Sequence, residues 1–121
     1  MSKKPSEEKV WEKFYSKKQL NIDIPNQTIL SSIMQFNKNR LNLVARNYYG
    51  RKLTYNDYFA EIFKCIYALM AQGIEKGDVI TFLTPTLLES EYLFYAATEL
   101  GAVANLVDPR VDLNSIKKYI T

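Results

Sequence analysis

Two short apolar segments flank a helix-like segment between residues 78 and 107, and this order constrains the fold more than any other feature. DVITFLT is short, rich in β-branched residues and apolar on both sides, which is typical of a strand covered by helices on both faces. AVANLV is a second apolar segment, and Gly101 before it is suited to end the intervening helix. Strands joined through a helix pair in parallel with a right-handed crossover. The sequence therefore predicts an α/β fold built on a βαβ unit.

Two capping-box patterns predict where helices begin. Thr54 and Asp57 precede apolar residues at helical spacing, and Gly73 has the position of a helix end. Thr86 and Glu89 repeat the pattern before the helix of the βαβ unit, so we interpret Glu89 as a capping residue. The first of these helices has the apolar residues Tyr58, Phe59, Ile62, Phe63, Ile66, Leu69 and Met70.

The remaining elements of the α/β region are predicted from shorter patterns. Apolar and polar residues alternate over residues 41–46, Gly50 allows a tight turn and RKLT returns, which together predict a small β-hairpin. Asn26 is a candidate cap for a helix before the hairpin. The inward residues of that helix are Ile29, Ile33, Met34 and Phe36. Asp112 or Asn114 is a candidate cap for a last helix. Its inward residues are Leu113, Ile116 and Ile120.

The N-terminal residues differ in composition from the rest of the chain. Residues 1–24 are predicted to form an amphipathic helix or arm, and residues 25–121 an α/β subdomain. Ser6 is a candidate helix cap. The apolar face consists of Val10, Trp11, Phe14 and Tyr15. We expect this face to pack on the domain, or on a missing remainder of the protein, rather than on bases or lipid. The lysines near the start are expected to be solvated.

Composition excludes several kinds of chemistry. The 121 residues are 47% hydrophobic, which suffices for one domain with a core. Because the chain contains no histidine, Ser-His catalysis, Cys-His catalysis and histidine metal sites are excluded within it. The single Cys65 lies in an apolar helical stripe, so we expect a buried free thiol and a cytoplasmic location. No apolar run approaches the ~20 residues of a membrane span, so a soluble protein is expected.

Local motifs give no catalytic residue and no metal ligand. Glycine-rich phosphate loops, the nucleophile-elbow pattern and metal-ligand clusters are all absent from the sequence. Glu89 and Glu91 are two residues apart on a predicted helix, so their side chains diverge and cannot act as a paired acid and base.

The order of the segments LTYNDYFAEI, GIEKGDVITFLTPT and AATELGAVANLVDPR resembles the opening of the adenylate-forming acyl-CoA synthetases. In this region that family typically reads T-Y-x-E-L, G-v-x-k-G-D-x-V, P-N-s-x-e and l-G-A-v-x-x-x-x-n-P-R. The resemblance covers residues 41–121. Thr86 and Asp108 depart from it, since asparagine is common in the family at both positions. The residues VDLNSIKKYI favour the CoA-ligase branch over the peptide-synthetase branch.

The resemblance implies an enzyme that uses ATP and Mg²⁺ to activate a carboxylic acid, of a fatty or other apolar kind, as an acyl-adenylate. The acyl group then passes to the thiol of CoA. In the family, the phosphate loop, the adenine pocket and the catalytic lysine lie downstream of the segment seen here. We therefore expect an incomplete N-terminal subdomain that is inactive alone, with no cofactor bound to it.

Arg110 is the one candidate binding residue. In some CoA ligases of this family the arginine of the Pro-Arg pair contacts a phosphate of the CoA nucleotide, and Arg110 is the matching residue. A planar guanidinium can hold two phosphate oxygens. The alternative is that Arg110 pairs with Asp108, with Asp112 or with a missing domain.

Two further functional classes remain open from the sequence. The chain can instead be a stand-alone, non-enzymatic binding or assembly module whose βαβ core forms a homodimer. The other class is nucleic-acid binding through the lysine-rich N-terminus, although no nucleic-acid partner is the expectation.

Overall fold

The structure, a computed structural model, describes residues 4–120. The α/β order predicted from the sequence is confirmed, with a hairpin first and a parallel strand pair after it. The elements in chain order are α1 (Pro5–Glu8), α2 (Lys17–Leu20), α3 (Ile29–Asn37), β1 (Val44–Tyr48), β2 (Arg51–Thr54), α4 (Tyr55–Ala71), β3 (Val79–Phe82), α5 (Leu88–Glu99), β4 (Val103–Leu106) and α6 (Leu113–Ile120).

The N-terminal region does not form the single amphipathic helix that the sequence predicted. It consists of α1, a 3-10 turn at Glu12–Phe14 and α2, and none of the three contains a buried residue. The predicted capping role of Ser6 is wrong, because Lys4 is the N-cap of α1 and Ser6 lies inside that helix. Lys9, which has a left-handed backbone with φ of 47°, ends the helix. Short helices are marginal in water without tertiary packing. Because this region buries no apolar face, nothing holds it in one continuous helix.

The predicted hairpin is confirmed, although its first strand begins later than expected. β1 and β2 pair antiparallel, and Tyr49 and Gly50 form the turn with φ of 48° and 88°. Two consecutive positive φ angles match the twist of the flanking strands. Residues 41–43 precede the strand because the Leu41 and Leu43 carbonyls accept hydrogen bonds from the first residues of α4.

Helix α4 is the centre of the core, and both of its predicted ends are confirmed. The Thr54 hydroxyl accepts the Asp57 N–H, and the Asp57 carboxylate accepts in return from the Thr54 N–H at 3.2 Å. Gly73 follows the helix with φ of 79°. The Cys65 thiol is half-buried against the core, less enclosed than predicted. The main core comprises Leu30, Leu53, Tyr58, Phe59, Ile62, Ile66, Leu88, Tyr92 and Ala96.

Helix α3 begins and faces the core differently from the prediction. Thr28, not Asn26, is the cap, and its hydroxyl accepts the Ser31 N–H at 3.1 Å. Leu30 is the buried residue, at 2% exposure, whereas Phe36 points to solvent. At 3.6 residues per turn, these two positions lie about 120° apart around the axis, so both cannot face the core. Ile29 is likewise exposed, although Ile33 and Met34 pack inward as predicted.

Helix α6 follows only part of its predicted pattern. Asp112 is the cap, since its carboxylate accepts the backbone N–H groups of Asn114 and Ser115 at 3.0 and 3.2 Å. Ile116 is buried, but Leu113 and Ile120 are exposed. The helix therefore meets the rest of the chain along a narrow stripe.

Strands β3 and β4 pair in parallel, as the βαβ order predicted, with Val79 opposite Val103 and Phe82 opposite Leu106. One face of this sheet packs on α5 through a small core of Phe82, Ala97 and Ala102. The other face is covered only in part, because Asn105 donates to the Tyr119 carbonyl of α6 at 2.8 Å, whereas Val79 and Val103 remain 64% and 52% exposed. The prediction of helices on both faces is therefore confirmed in part for residues 4–120, with α5 on one face and α6 at one end of the other.

Candidate functional site

A cavity of about 970 Å³ lies at the carboxyl ends of the two parallel strands. Its lining comes from the ends of β3 and β4, the segments 84–88 and 107–110 that follow them, one side of α5, and the end of β1. Open α/β sheets place ligands outside the carboxyl ends of their strands. The geometry therefore marks this edge as the candidate site.

The cavity combines an apolar wall with polar groups. Phe82, Phe94 and Leu106 supply apolar surface. The Thr84 and Ser90 hydroxyls hydrogen-bond to one another, and Ser90 also donates to the Pro85 carbonyl at 3.0 Å. Concave sites that combine apolar walls with a few placed polar groups are typical of small-molecule binding.

The start of α5 differs from the predicted capping box. The helix begins at Leu88, its N-cap is Leu87 in an extended conformation, and no side chain caps it. Thr86 therefore lies one residue outside the N-cap position, where its hydroxyl does not meet the first turn. The predicted capping roles of Thr86 and Glu89 are wrong, because the chain stays extended for one residue more than the T-x-x-E pattern requires.

An ion pair that no local pattern predicted forms one wall of the cavity. Arg46 on β1 donates from Nε to both carboxylate oxygens of Glu91 on α5, each at 3.0 Å, and its Nη2 also bonds Glu91. Its Nη1 donates to the Ala45 carbonyl at 2.9 Å. The guanidinium lies 4.7 Å from the centre of the Tyr58 ring. Arg46 therefore ties the hairpin to both long helices.

The environment keeps this pair charged. Burial raises the pKa of Glu91, but hydrogen bonds with Arg46 and Tyr58 outweigh burial and leave that pKa below its ordinary value. The hydrogen bond to Glu91 raises the pKa of Arg46. Burial raises the pKa of the Tyr58 hydroxyl. None of these groups titrates near neutral pH, so the cluster suits holding the cavity wall rather than transferring protons.

Arg110 lies at the mouth of the same cavity and is paired with Asp108. Its side chain is 88% exposed, and Nη2 donates to the Asp108 carboxylate at 2.6 Å. Hydrogen bonds from the side chain and backbone of Arg110 lower the pKa of Asp108 to about 2. Of the partners that the sequence left open, the structure has Asp108, while Asp112 caps α6. A CoA role for Arg110 stays a prediction.

The described residues 4–120 contain neither a cluster of metal ligands nor a helix that could span a membrane. Within these residues, no group of three or more acidic, cysteine or histidine side chains is arranged to hold a metal ion. No helix in the same range is long and apolar enough to cross a bilayer. For the CoA that the resemblance implies, the exposed Arg110 guanidinium is chemically suited to a phosphate.

Sequence comparisons place the chain among known enzymes. The sequence profile described as AMP-binding enzyme matches residues 34–121. The acetyl-coenzyme A synthetase of Aeromonas salmonicida is 40% identical over 57 residues, which are 47% of this chain and 9% of that enzyme. The corresponding enzyme of Rhizobium meliloti is 32% identical over 60 residues, or 50% of this chain and 9% of the enzyme. The chain thus matches about a tenth of the length of these relatives.

Solved structures share the fold. The inhibitor-bound N-terminal domain of FACL13 from Mycobacterium tuberculosis superposes with a TM-score of 0.72 at 29% identity, covering 78% of this chain and 24% of that one. The NpsA N-terminal subdomain of Klebsiella oxytoca gives 0.73 at 18% identity, covering 78% and 24%. The latter likeness concerns the fold alone. The predicted resemblance is confirmed: this chain belongs to the AMP-binding enzyme family and has the fold of an N-terminal segment of adenylate-forming enzymes.

Proposed function

We propose that this chain is the N-terminal subdomain of an AMP-forming acyl-CoA synthetase. The enzyme joins a carboxylate to the α-phosphate of MgATP, releasing pyrophosphate, and the CoA thiol then displaces AMP to give a thioester. The match of residues 34–121 to the AMP-binding enzyme family carries this proposal. A fatty acid is the proposed substrate, supported by the 29% identity to a structure named Mycobacterium tuberculosis fatty acyl CoA synthetase.

We propose that the residues that bind and activate ATP lie in other parts of the enzyme. The chain spans 9% of the acetyl-coenzyme A synthetases that it matches and 24% of the FACL13 domain. We therefore propose that the 121 residues alone are inactive, that residues 25–121 form the subdomain and that residues 1–24 form an arm on it. A cytoplasmic location is part of the same proposal and rests on the single cysteine.

Arg110 is the proposed contact to a phosphate of CoA. It lies at the carboxyl edge of the parallel strands, its side chain is largely exposed, and it borders the cavity. Pro109 before it restricts the backbone that presents the guanidinium. A ligand phosphate can accept from the Nε and Nη2 donors that now bond Asp108.

Kinetics of the polypeptide encoded by the complete reading frame test this role. Arg110→Ala is expected to raise the KM for CoA while leaving acyl-adenylate formation nearly unchanged, because the arginine acts only when CoA binds. Arg51→Ala is the matched control, since Arg51 is an exposed arginine on the hairpin and does not line the cavity. Equal losses in both half-reactions for Arg110→Ala would refute the assignment.

A stand-alone assembly module is the second candidate function. The exposed Val79 and Val103, on the partly covered sheet face, favour it, because a second copy could cover them. Sedimentation of the chain at micromolar concentration tests this candidate, with Val103→Asp as the variant. A dimer that Val103→Asp dissociates, in a chain whose gene encodes nothing further, would favour assembly over catalysis.

A further inference from the structure

The Asp108 carboxylate accepts two kinds of hydrogen bond from Arg110, one from its backbone N–H and the others from its guanidinium. Oδ1 of Asp108 accepts the Arg110 backbone N–H at 2.9 Å, which fixes the turn after β4. The same oxygen accepts the side-chain Nε at 3.0 Å, and Oδ2 accepts Nε at 3.2 Å and Nη2 at 2.6 Å. The first bond holds the backbone, whereas the others engage the guanidinium.

These side-chain bonds occupy one of the two pairs of parallel donors through which Arg110 can bind a phosphate. Guanidinium groups bind carboxylates and phosphates through the same parallel pair of N–H donors. Nε and Nη2 are such a pair, and both are directed at Asp108. A ligand phosphate that binds at this edge must therefore displace the carboxylate, and one that binds at the Nη1–Nη2 edge must approach the negative charge of Asp108 beside it.

We propose that Asp108 lowers the affinity of this site for CoA, because its carboxylate competes with a phosphate of CoA for the Arg110 guanidinium. This inference rests on the proposed role of Arg110. The competition is modest in size because the pair is exposed at the cavity mouth, where salt and water screen it. It sets how tightly CoA is held, not whether the cavity forms.

Asp108→Asn separates the bond to the Arg110 backbone from the ionic bonds to its guanidinium. The amide oxygen of asparagine can still accept the Arg110 backbone N–H, so the turn is kept, while the negative charge that holds the guanidinium is removed. Asp112→Asn is the matched control. It removes a charge four residues along, from a carboxylate that caps α6 and hydrogen-bonds to Asn114 and Ser115, and asparagine caps helices as well as aspartate does.

The experiment is a CoA titration, followed by isothermal calorimetry, of the polypeptide encoded by the complete reading frame. Asp108→Asn is expected to lower the Kd for CoA by about two- to fivefold, the effect of removing one exposed charge partner. Asp112→Asn is expected to leave the Kd unchanged within error. Arg110→Ala and the double variant Asp108→Asn/Arg110→Ala are expected to bind equally weakly, because the competitor has no effect without its arginine.

The outcomes separate this inference from the function on which it rests. If Arg110→Ala weakens CoA binding but Asp108→Asn matches Asp112→Asn, the competition is refuted and the role of Arg110 stands. If Asp108→Asn tightens binding equally with and without Arg110, the effect is general charge repulsion and the inference is again refuted. If wild type and Arg110→Ala respond identically to millimolar CoA, or neither responds, the assignment of Arg110 fails together with the inference.

Discussion

Glu91→Gln removes the charge that pairs with Arg46. It thereby tests whether this ion pair stabilises the packing of the hairpin on α5. The substitution keeps the size of the side chain but loses the ionic part of the hydrogen bonds at 3.0 Å. The Arg46 and Glu91 side chains are 36% and 29% exposed, so the pair lies between a surface and a buried ion pair. Surface pairs contribute about 0.2–1 kcal/mol, whereas breaking a buried pair costs about 3–5 kcal/mol.

We therefore expect Glu91→Gln to lower the free energy of unfolding by about 1–2 kcal/mol at neutral pH, after discounting for solvent screening. For a domain of this size, the loss corresponds to a fall in Tm of about 4–8 °C. Urea and thermal unfolding followed by circular dichroism measure it. Glu89→Gln is the control, because Glu89 is an exposed neighbouring acid for which the structure has no ion pair. It should stay within about 0.5 kcal/mol of wild type.

The stability lost in Glu91→Gln should also depend on pH. The folded-state pKa of Glu91 lies below its ordinary value, so its stabilisation is fully present above the unfolded-state pKa of about 4.3 and is lost as the pH falls through the folded value. The stability difference between wild type and Glu91→Gln should therefore shrink below about pH 4. If Glu91→Gln is as stable as wild type at pH 7, or if its loss of stability is unchanged at pH 3, the stabilising role of the Arg46–Glu91 ion pair is refuted.

Two further pairs of variants test the local geometry by thermal unfolding. Thr54→Ala should cost about 1 kcal/mol because it removes the cap of α4, whereas Thr86→Ala should be nearly neutral because that threonine caps nothing; equal losses would contradict the observed start of α5. Gly73→Ala should cost about 1–2 kcal/mol for its positive φ alone. Gly101→Ala should cost more, because an added Cβ would lie 3.0 Å from Lys76 Cγ; the reverse order would contradict the packing at that turn.

The sequence predicted those elements whose signals are local and agree with one another. The helix from Thr54 to Gly73 has a capping box, an apolar period and a left-handed glycine, and all three occur in the structure. The parallel strand pair followed from chain order, because only a crossover joins such strands. The cavity edge at Arg110 followed from the same topology.

The errors arose where tertiary packing decides between similar local patterns. Asn26 is the better cap by residue type, yet the burial of Leu30 selects the helix that Thr28 begins. The pairing of Arg46 with Glu91 joins positions far apart in sequence, so no short motif indicates it. The separate turns of the N-terminal region show the converse, because an amphipathic pattern without a packing partner does not sustain a helix.

ATP–pyrophosphate exchange measures the central claim most directly, because it reports acyl-adenylate formation without requiring CoA. We expect the 121-residue chain alone to show no exchange with any carboxylic acid, and the polypeptide of the complete reading frame to show exchange that depends on a fatty acid. Exchange catalysed by the 121 residues alone would contradict the assignment of this chain as one subdomain of a larger synthetase.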